Sequence, residues 1–369
     1  MTPVEPIRFF LPGPAYVPEA SRRAMTEPVV AHRSPEFLDV LDAVVAGLKE
    51  VFRTSGDVVV ATGSATLMMQ SAIASTVERR VLHLTAGAFS ERWLAISRSL
   101  GKEADQVSVP WGQAVDPDLL RQALRRGGAG DRYDAVALVH NETSTAVMHP
   151  LPELAQVIRE ESDALVLVDT VSSLAGAPVE FDAWGLDVAV TASQKALATP
   201  PGLAPTAVSR RALERSRRMN GRGFYTDLVR YVEKQRGDGT SRGGTITTAA
   251  MAQVHALAHQ LQRIRHEGLE ARWQRHRRTS EGTVRWAEES GFEVAAEAGA
   301  RSWTVTCLRP PAGREPATLR QRLAAGGWTV AGGYGDWKDT TFRIGHMGEV
   351  RESDLDPLRA AIEDILAAG

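Results

Sequence analysis

The 369-residue sequence predicts an α/β fold: a large domain built on a mainly parallel sheet, followed by a small α+β C-terminal domain. Three observations carry this reading. Short unbroken apolar runs such as residues 165–168 read as strands buried on both faces, as parallel strands are. From about residue 57 to 209 these runs alternate with helical stretches, the order that right-handed βαβ crossovers impose. After residue 251 long helical stretches enclose two isolated strand-like pieces, which suggests a separate mixed unit.

The elements follow in order. Residues 1–18 contain LPGPAYVP, too rich in proline for a regular helix or central strand, and read as an arm. From 37 to 52, Leu38, Leu41, Val44, Val45 and Leu48 recur at helical spacing. A strand at 57–61 runs through Thr62-Gly63-Ser64-Ala65-Thr66 into a second helix. Strand, glycine turn and helix start together present backbone N–H groups to an anion. One helix terminus contributes only about 0.3–2 kcal/mol, so such a site needs several donors.

Further strands are expected at 81–85, before Gly87-Ala88-Phe89, and at 134–139, before His140 to Ala146. The strand 165–168 ends at Asp169, on the side where open α/β sheets bind ligands. A strand at 187–191 precedes Ser193-Gln194-Lys195 and a Pro-Pro-Gly turn, and another lies at 206–209. Residues 210–246 read as an irregular Arg- and Gly-rich stretch with one helix at 226–232. Residues 251–289 read as a helical connection between the domains. Strands at 302–308 and 341–344 and a helix at 353–366 complete the chain.

Composition narrows the function. A formal charge of −2 gives no general attraction to nucleic acid or to anionic membrane. The single cysteine, Cys307, excludes an internal disulfide framework and a cysteine-rich zinc site. No run reaches the ~18 apolar residues of a membrane span. The start has neither a basic segment nor an apolar core of a signal peptide, so a cytoplasmic enzyme is expected. His140 and Glu142 lack further ligands at zinc spacing, so no metal site is expected and His140 reads as a satisfied structural histidine.

An acid at one strand end and a lysine past the next suit one chemistry. A lysine forms a Schiff base with pyridoxal phosphate, and a carboxylate pairs with the protonated ring nitrogen. VDTVSSLAG, at 168–176, and SQKALATPPG, at 193–202, resemble the class V aminotransferases of fold type I, near the alanine–glyoxylate and serine–pyruvate group. HRSPEF, HNETSTA and FRIGHMG match further motifs of that family along the chain.

The resemblance implies a seven-stranded sheet flanked by helices, with an N-terminal arm at 1–18, a large cofactor-binding domain at 19–268 and a small domain at 269–369. It implies pyridoxal 5′-phosphate on Lys195 and Asp169 against the ring nitrogen. Gly63, Ser64 and Ala65 would hold the phosphate, Phe89 would stack on the ring, and Ser144 and Gln194 would contact the cofactor. Arg343 would grip the substrate carboxylate with its two-pronged guanidinium. Thr248 would reach a neighbouring subunit's phosphate, which implies a homodimer with sites at the interface. The proline arm would lie over the active site or the neighbouring subunit.

Ala61 and Ala146 stand where the family has glycine, and Thr245 where it has a phosphate-binding tyrosine. The implied reaction moves the amino group of a small amino acid, of the alanine or serine class, to a 2-oxo acid such as glyoxylate or pyruvate. Two alternatives remain open. A lyase or desulfurase of the same fold would need a mobile nucleophilic cysteine, whereas Cys307 lies in an expected strand. A catalytically silent regulatory protein would be expected to have lost Lys195 or Asp169.

Overall fold

A computed structural model describes residues 7–126, 132–238 and 242–368. The first six residues of the expected arm, Gly369, and residues 239–241 of the Arg- and Gly-rich stretch lie outside the described residues. In chain order the strands are Phe9–Phe10 (β1), Asp57–Thr62 (β2), Arg80–Thr85 (β3), Glu103–Ser108 (β4), Ala135–Val139 (β5), Asn141–Glu142 (β6), Val147–Met148 (β7), Leu165–Asp169 (β8), Val188–Val190 (β9), Leu203–Val208 (β10), Glu293–Val294 (β11), Val305–Arg309 (β12), Thr329–Gly332 (β13) and Phe342–Gly345 (β14).

Seven strands form one sheet in the order β2-β10-β9-β8-β5-β3-β4. Neighbours from β9 to β4 are parallel, and β10 runs antiparallel to both β9 and β2. This is the mainly parallel α/β sheet expected from the apolar runs. Along β8, Val166 and Val168 join one hydrophobic cluster and Leu165 and Leu167 the other, so the strand is buried on both faces. Each such side chain contributes ~1.5–3 kcal/mol of burial. The helix Pro35–Phe52 covers the first face through Leu41, Val44 and Leu48, its start capped by the Ser34 hydroxyl, which accepts from the Phe37 N–H. Ala65–Thr76 covers the other through Met68 and Ile73.

The second sheet has the order β1-β13-β14-β12-β11 and a cluster of its own around Phe342, Leu308 and Leu358. β1 comes from the N-terminal arm and pairs in parallel with β13 at the sheet edge, so a proline-rich arm is compatible with it.

Three expectations are corrected. β10 begins at Leu203 rather than 206 and carries Pro205 inside the sheet, where only its carbonyl is needed, accepting from the Thr191 N–H at 2.9 Å. The stretch after residue 209 is not irregular at its start: Arg210–Arg218 is a helix, capped by the Ser209 hydroxyl and buried only through Ala212, Leu213 and Ser216. The helix expected at 226–232 runs Leu228–Arg236, because Asp227 accepts from the Val229 and Arg230 N–H groups and so stands outside it.

Candidate active site

The site assembles from strand ends and the turns that follow them. Asp169 closes β8, buried, with Oδ1 accepting from the Val171 N–H at 2.7 Å and its carbonyl from the His140 N–H at 2.9 Å. Burial pushes its carboxyl up, Glu142 adds to this, and the Val171 N–H and Lys195 oppose it, leaving it at about 7. Lys195 sits in the turn after β9. Burial pushes its ammonium down and the Arg343 charge adds to that, against Asp169 and Glu142, to about 8. A carboxyl pushed up and an amine pushed down toward neutrality, each within the other's field, suit proton transfer.

The Lys195 turn is held from three directions. Ser193 donates to the Pro200 carbonyl at 2.7 Å and accepts from the Leu203 N–H, which locks the Pro-Pro-Gly turn. Arg272, fully buried, donates to the Ala196 carbonyl at 2.9 Å. The arm closes the third side: Ala15 N–H donates to the Gln194 carbonyl at 2.7 Å, and Lys195 Nζ to the Pro12 carbonyl at 2.6 Å. Gly13 sits at φ +134°, a backbone conformation that favours glycine, and a Cβ there would also press on the end of the Lys195 side chain. The arm therefore lies over the Lys195 turn of its own chain.

Opposite lies the start of helix Ala88–Ser99. Glu142, completely buried, accepts from the N–H groups of Phe89 at 3.1 Å and Ser90 at 3.0 Å and from the Ser144 hydroxyl at 2.5 Å. Ser144 Oγ in turn accepts from the Ala88 N–H at 3.1 Å. Glu142 and Ser144 therefore fix the direction of Phe89. Gly87 must be glycine because a Cβ would meet Ser144 Oγ at 2.5 Å. The Phe89 ring lies 6.0 Å from Lys195 Nζ and 5.4 Å from the stacked ring of Tyr334.

Arg343 reaches in from β14. It donates to the Thr143 carbonyl at 3.0 Å and the Gly332 carbonyl at 2.9 Å and lies over the Tyr334 ring. Those two bonds use Nη1 and Nε, and burial favours an anion beside its guanidinium.

Gly63, at φ +155°, donates to the Gly202 carbonyl at 2.9 Å, tying its turn to the one after Lys195. Ser64 opens helix Ala65–Thr76 without a side-chain cap; the Leu67 N–H donates to the Ser64 carbonyl at 3.0 Å, while the Ala65 and Thr66 N–H groups have no acceptor among the described residues and are open to an anion. That open terminus, the buried Asp169 and the Phe89 face beside Lys195 fit a flat, phosphorylated, aldehyde-bearing ring. Thr248 is exposed, and no hydrogen bond joins it to the other candidates among the described residues.

Arg92 and Tyr334 were not singled out from sequence. Arg92 Nη2 donates to Tyr334 Oη at 3.0 Å, and its guanidinium lies 4.8 Å over Phe89. Its spacing three residues beyond Phe89 on a helix was the available signal; Tyr334 lies in an irregular stretch and had none. One reading is corrected: His140 is not a satisfied histidine, since its buried Nδ1 has no partner among the described residues. Cys307 is fully buried in β12, where burial pushes its thiol up, as a structural rather than nucleophilic sulfur requires.

Comparison with known proteins agrees with this geometry. The family model described as aminotransferase class-V matches residues 28–315. An uncharacterized aminotransferase of Methanocaldococcus jannaschii is 37% identical over 96% of this chain and 91% of its own length. A Synechococcus protein named soluble hydrogenase, small subunit, is 32% identical over 97% of this chain and 92% of its own. The crystal structure of alanine–glyoxylate aminotransferase from Nostoc superposes with a TM-score of 0.89 at 32% identity, covering 99% of this chain and 97% of that one. By these matches and the fold beneath them, the chain belongs to the class-V aminotransferase family.

Proposed function

We propose that the protein is a pyridoxal-phosphate-dependent aminotransferase that moves the amino group of a small amino acid, of the alanine or serine class, to glyoxylate or pyruvate. The observation that carries this is the Lys195 amine, held in the turn after β9 within 6.0 Å of the Phe89 ring and in the field of Asp169 and Arg343. Membership of the class-V family and the name of the Nostoc relative support it. The hydrogenase name stays with the Synechococcus protein, since nothing in an amine–carboxylate–guanidinium site calls for it.

Pyridoxal 5′-phosphate, when bound, supplies an aldehyde for amines and a ring that accepts electrons released at the substrate Cα. Lys195 Nζ would hold the cofactor and, once an incoming substrate amine has taken its place there, would serve as the base that moves the proton at the substrate Cα. Asp169 keeps a proton on the ring nitrogen. The Phe89 face and the Ser144 and Gln194 side chains orient the ring, and the turn shaped by Gly63 presents the Ser64 and Ala65 N–H groups to the phosphate. Arg343 binds the substrate carboxylate, and the Pro12–Ala15 arm shields Lys195 from water.

In this reading the arm spans 1–18, the large domain 19–268 and the small domain 269–369. Two copies pair so that Thr248 of one completes the phosphate site of the other, with Thr245 in place of a second donor. No helix among the described residues is long and apolar enough to cross a membrane, and a cytoplasmic location is proposed. The test is a half-reaction screen of amino donors followed spectroscopically. Alanine or serine should convert the bound cofactor to its amine form, and Lys195→Ala should abolish conversion. Conversion retained by Lys195→Ala would overturn the assignment.

A further inference from the structure

A cavity of about 470 Å³ lies where the segment after β5 and the start of the helix Leu151–Glu161 meet the loop 297–303 before β12. That size falls within the usual range of ligand pockets, and junctions between sheet units are where such pockets concentrate. His140, His149, Glu153, Trp184, Glu297 and Trp303 are among its walls. Neither lysine nor arginine is among its described lining residues, while two carboxylates and two indoles are.

The histidines add no positive charge. Burial and the neighbouring His149 push His140 down to about 3, and burial pushes His149 down to about 4. His149 Nδ1 accepts from the Val115 N–H at 3.0 Å, which leaves its proton on Nε2. Glu297 spends one oxygen on the Ala114 N–H, and Glu153 is exposed with no hydrogen bond among the described residues. Trp303 already carries one cation, the Arg277 guanidinium, 5.6 Å from its ring.

An independent observation marks the wall as unfinished. His140 is 3% exposed, yet its Nδ1 has no partner among the described residues. Buried ring nitrogens are ordinarily paired with protein or with a bound molecule.

We infer that this cavity is a second binding site, separate from the Lys195 site, for an organic cation with an aromatic or aliphatic body. Exposed carboxylates and two indoles along the same walls are the complement of an alkylated ammonium. The pocket joins strand ends beside Asp169 to the loop leading into the sheet that carries Arg343, and Ser302 N–H donates to the Ala146 carbonyl across that junction. An occupant therefore braces the two sheets against each other.

The test uses full-length, cofactor-loaded protein and benzyltrimethylammonium, whose quaternary nitrogen cannot condense with an aldehyde. Calorimetric titration should show saturable binding with a rise in Tm. Glu153→Gln and Glu297→Gln should each weaken it about three- to tenfold, and Lys195→Ala should leave it unchanged. Phenylacetate, of the same size but anionic, should not compete. Absence of binding at tens of millimolar, indifference to both glutamate substitutions, competition by phenylacetate, or loss of binding in Lys195→Ala would each overturn the inference.

Discussion

Asp169 is held where a carboxylate is costly, and its linkage to pH follows from the direction of its shift. Its folded value, about 7, lies above the ordinary 3.8, so the folded chain binds the extra proton. That contribution to stability is present below pH ~4 and is lost as pH rises to ~7. Lys195, moved from 10.5 to about 8, costs stability at neutral pH and returns it as pH rises beyond that. The cofactor-free protein should therefore be raised in Tm by Asp169→Asn at pH 7.5, and left almost unchanged by it at pH 4. Calorimetry at the two pH values measures this. An equal effect at both would mean that the buried charge is not what the substitution relieves.

The turn bearing Lys195 depends on elements far apart in sequence. Arg272 joins it to the C-terminal motif, donating to the Ala196 carbonyl and pairing with Glu349 at 2.8 Å. Burial pushes the Glu349 carboxyl up, but Arg272 and Arg263 outweigh that and hold it at about 2. Arg272→Met should lower stability by about 1–3 kcal/mol in denaturant unfolding, since the buried Ala175 and Ala196 carbonyls lose their donor and Glu349 keeps only Arg263 and Gln260. Adding Glu349→Gln should recover part of the loss; no recovery would mean that the arginine acts only by filling space. How much of this was legible varies by element. Strands with continuous apolar runs, such as β5 and β8, could be read directly. β4 could not: Glu103–Ser108 is an edge strand with only Val107 buried, so it lacks an apolar signature. Pro205 hid the start of β10, because the rule against proline in a sheet concerns a missing N–H and here the carbonyl carries the pairing. Asp169, Lys195 and Phe89 stood in motifs beside strand ends. Glu142, Arg92 and Tyr334 matter through contacts between chain segments, and spacing along a sequence carries little record of those.

For the whole molecule, acid should be the sensitive side. His83, His140, His149, His276 and His346 are all buried and held below the ordinary histidine value, with His83 and His346 at about 3. Unfolding lets each take a proton, so stability should fall as pH drops from 6.5 toward 4, by more than the opposite contribution of Asp169. A pH series of Tm tests this, and a flat profile from 7 to 4 would contradict it. Two copies sharing their sites would show as a dimer by sedimentation, with Thr248→Val weakening cofactor affinity about three- to tenfold for one lost phosphate bond. An unchanged affinity would remove Thr248 from the site. The most direct measurement is borohydride treatment of cofactor-saturated protein, followed by peptide mapping. The amine chemistry of this site predicts a pyridoxyl group fixed on Lys195. A label elsewhere, or none, would contradict it.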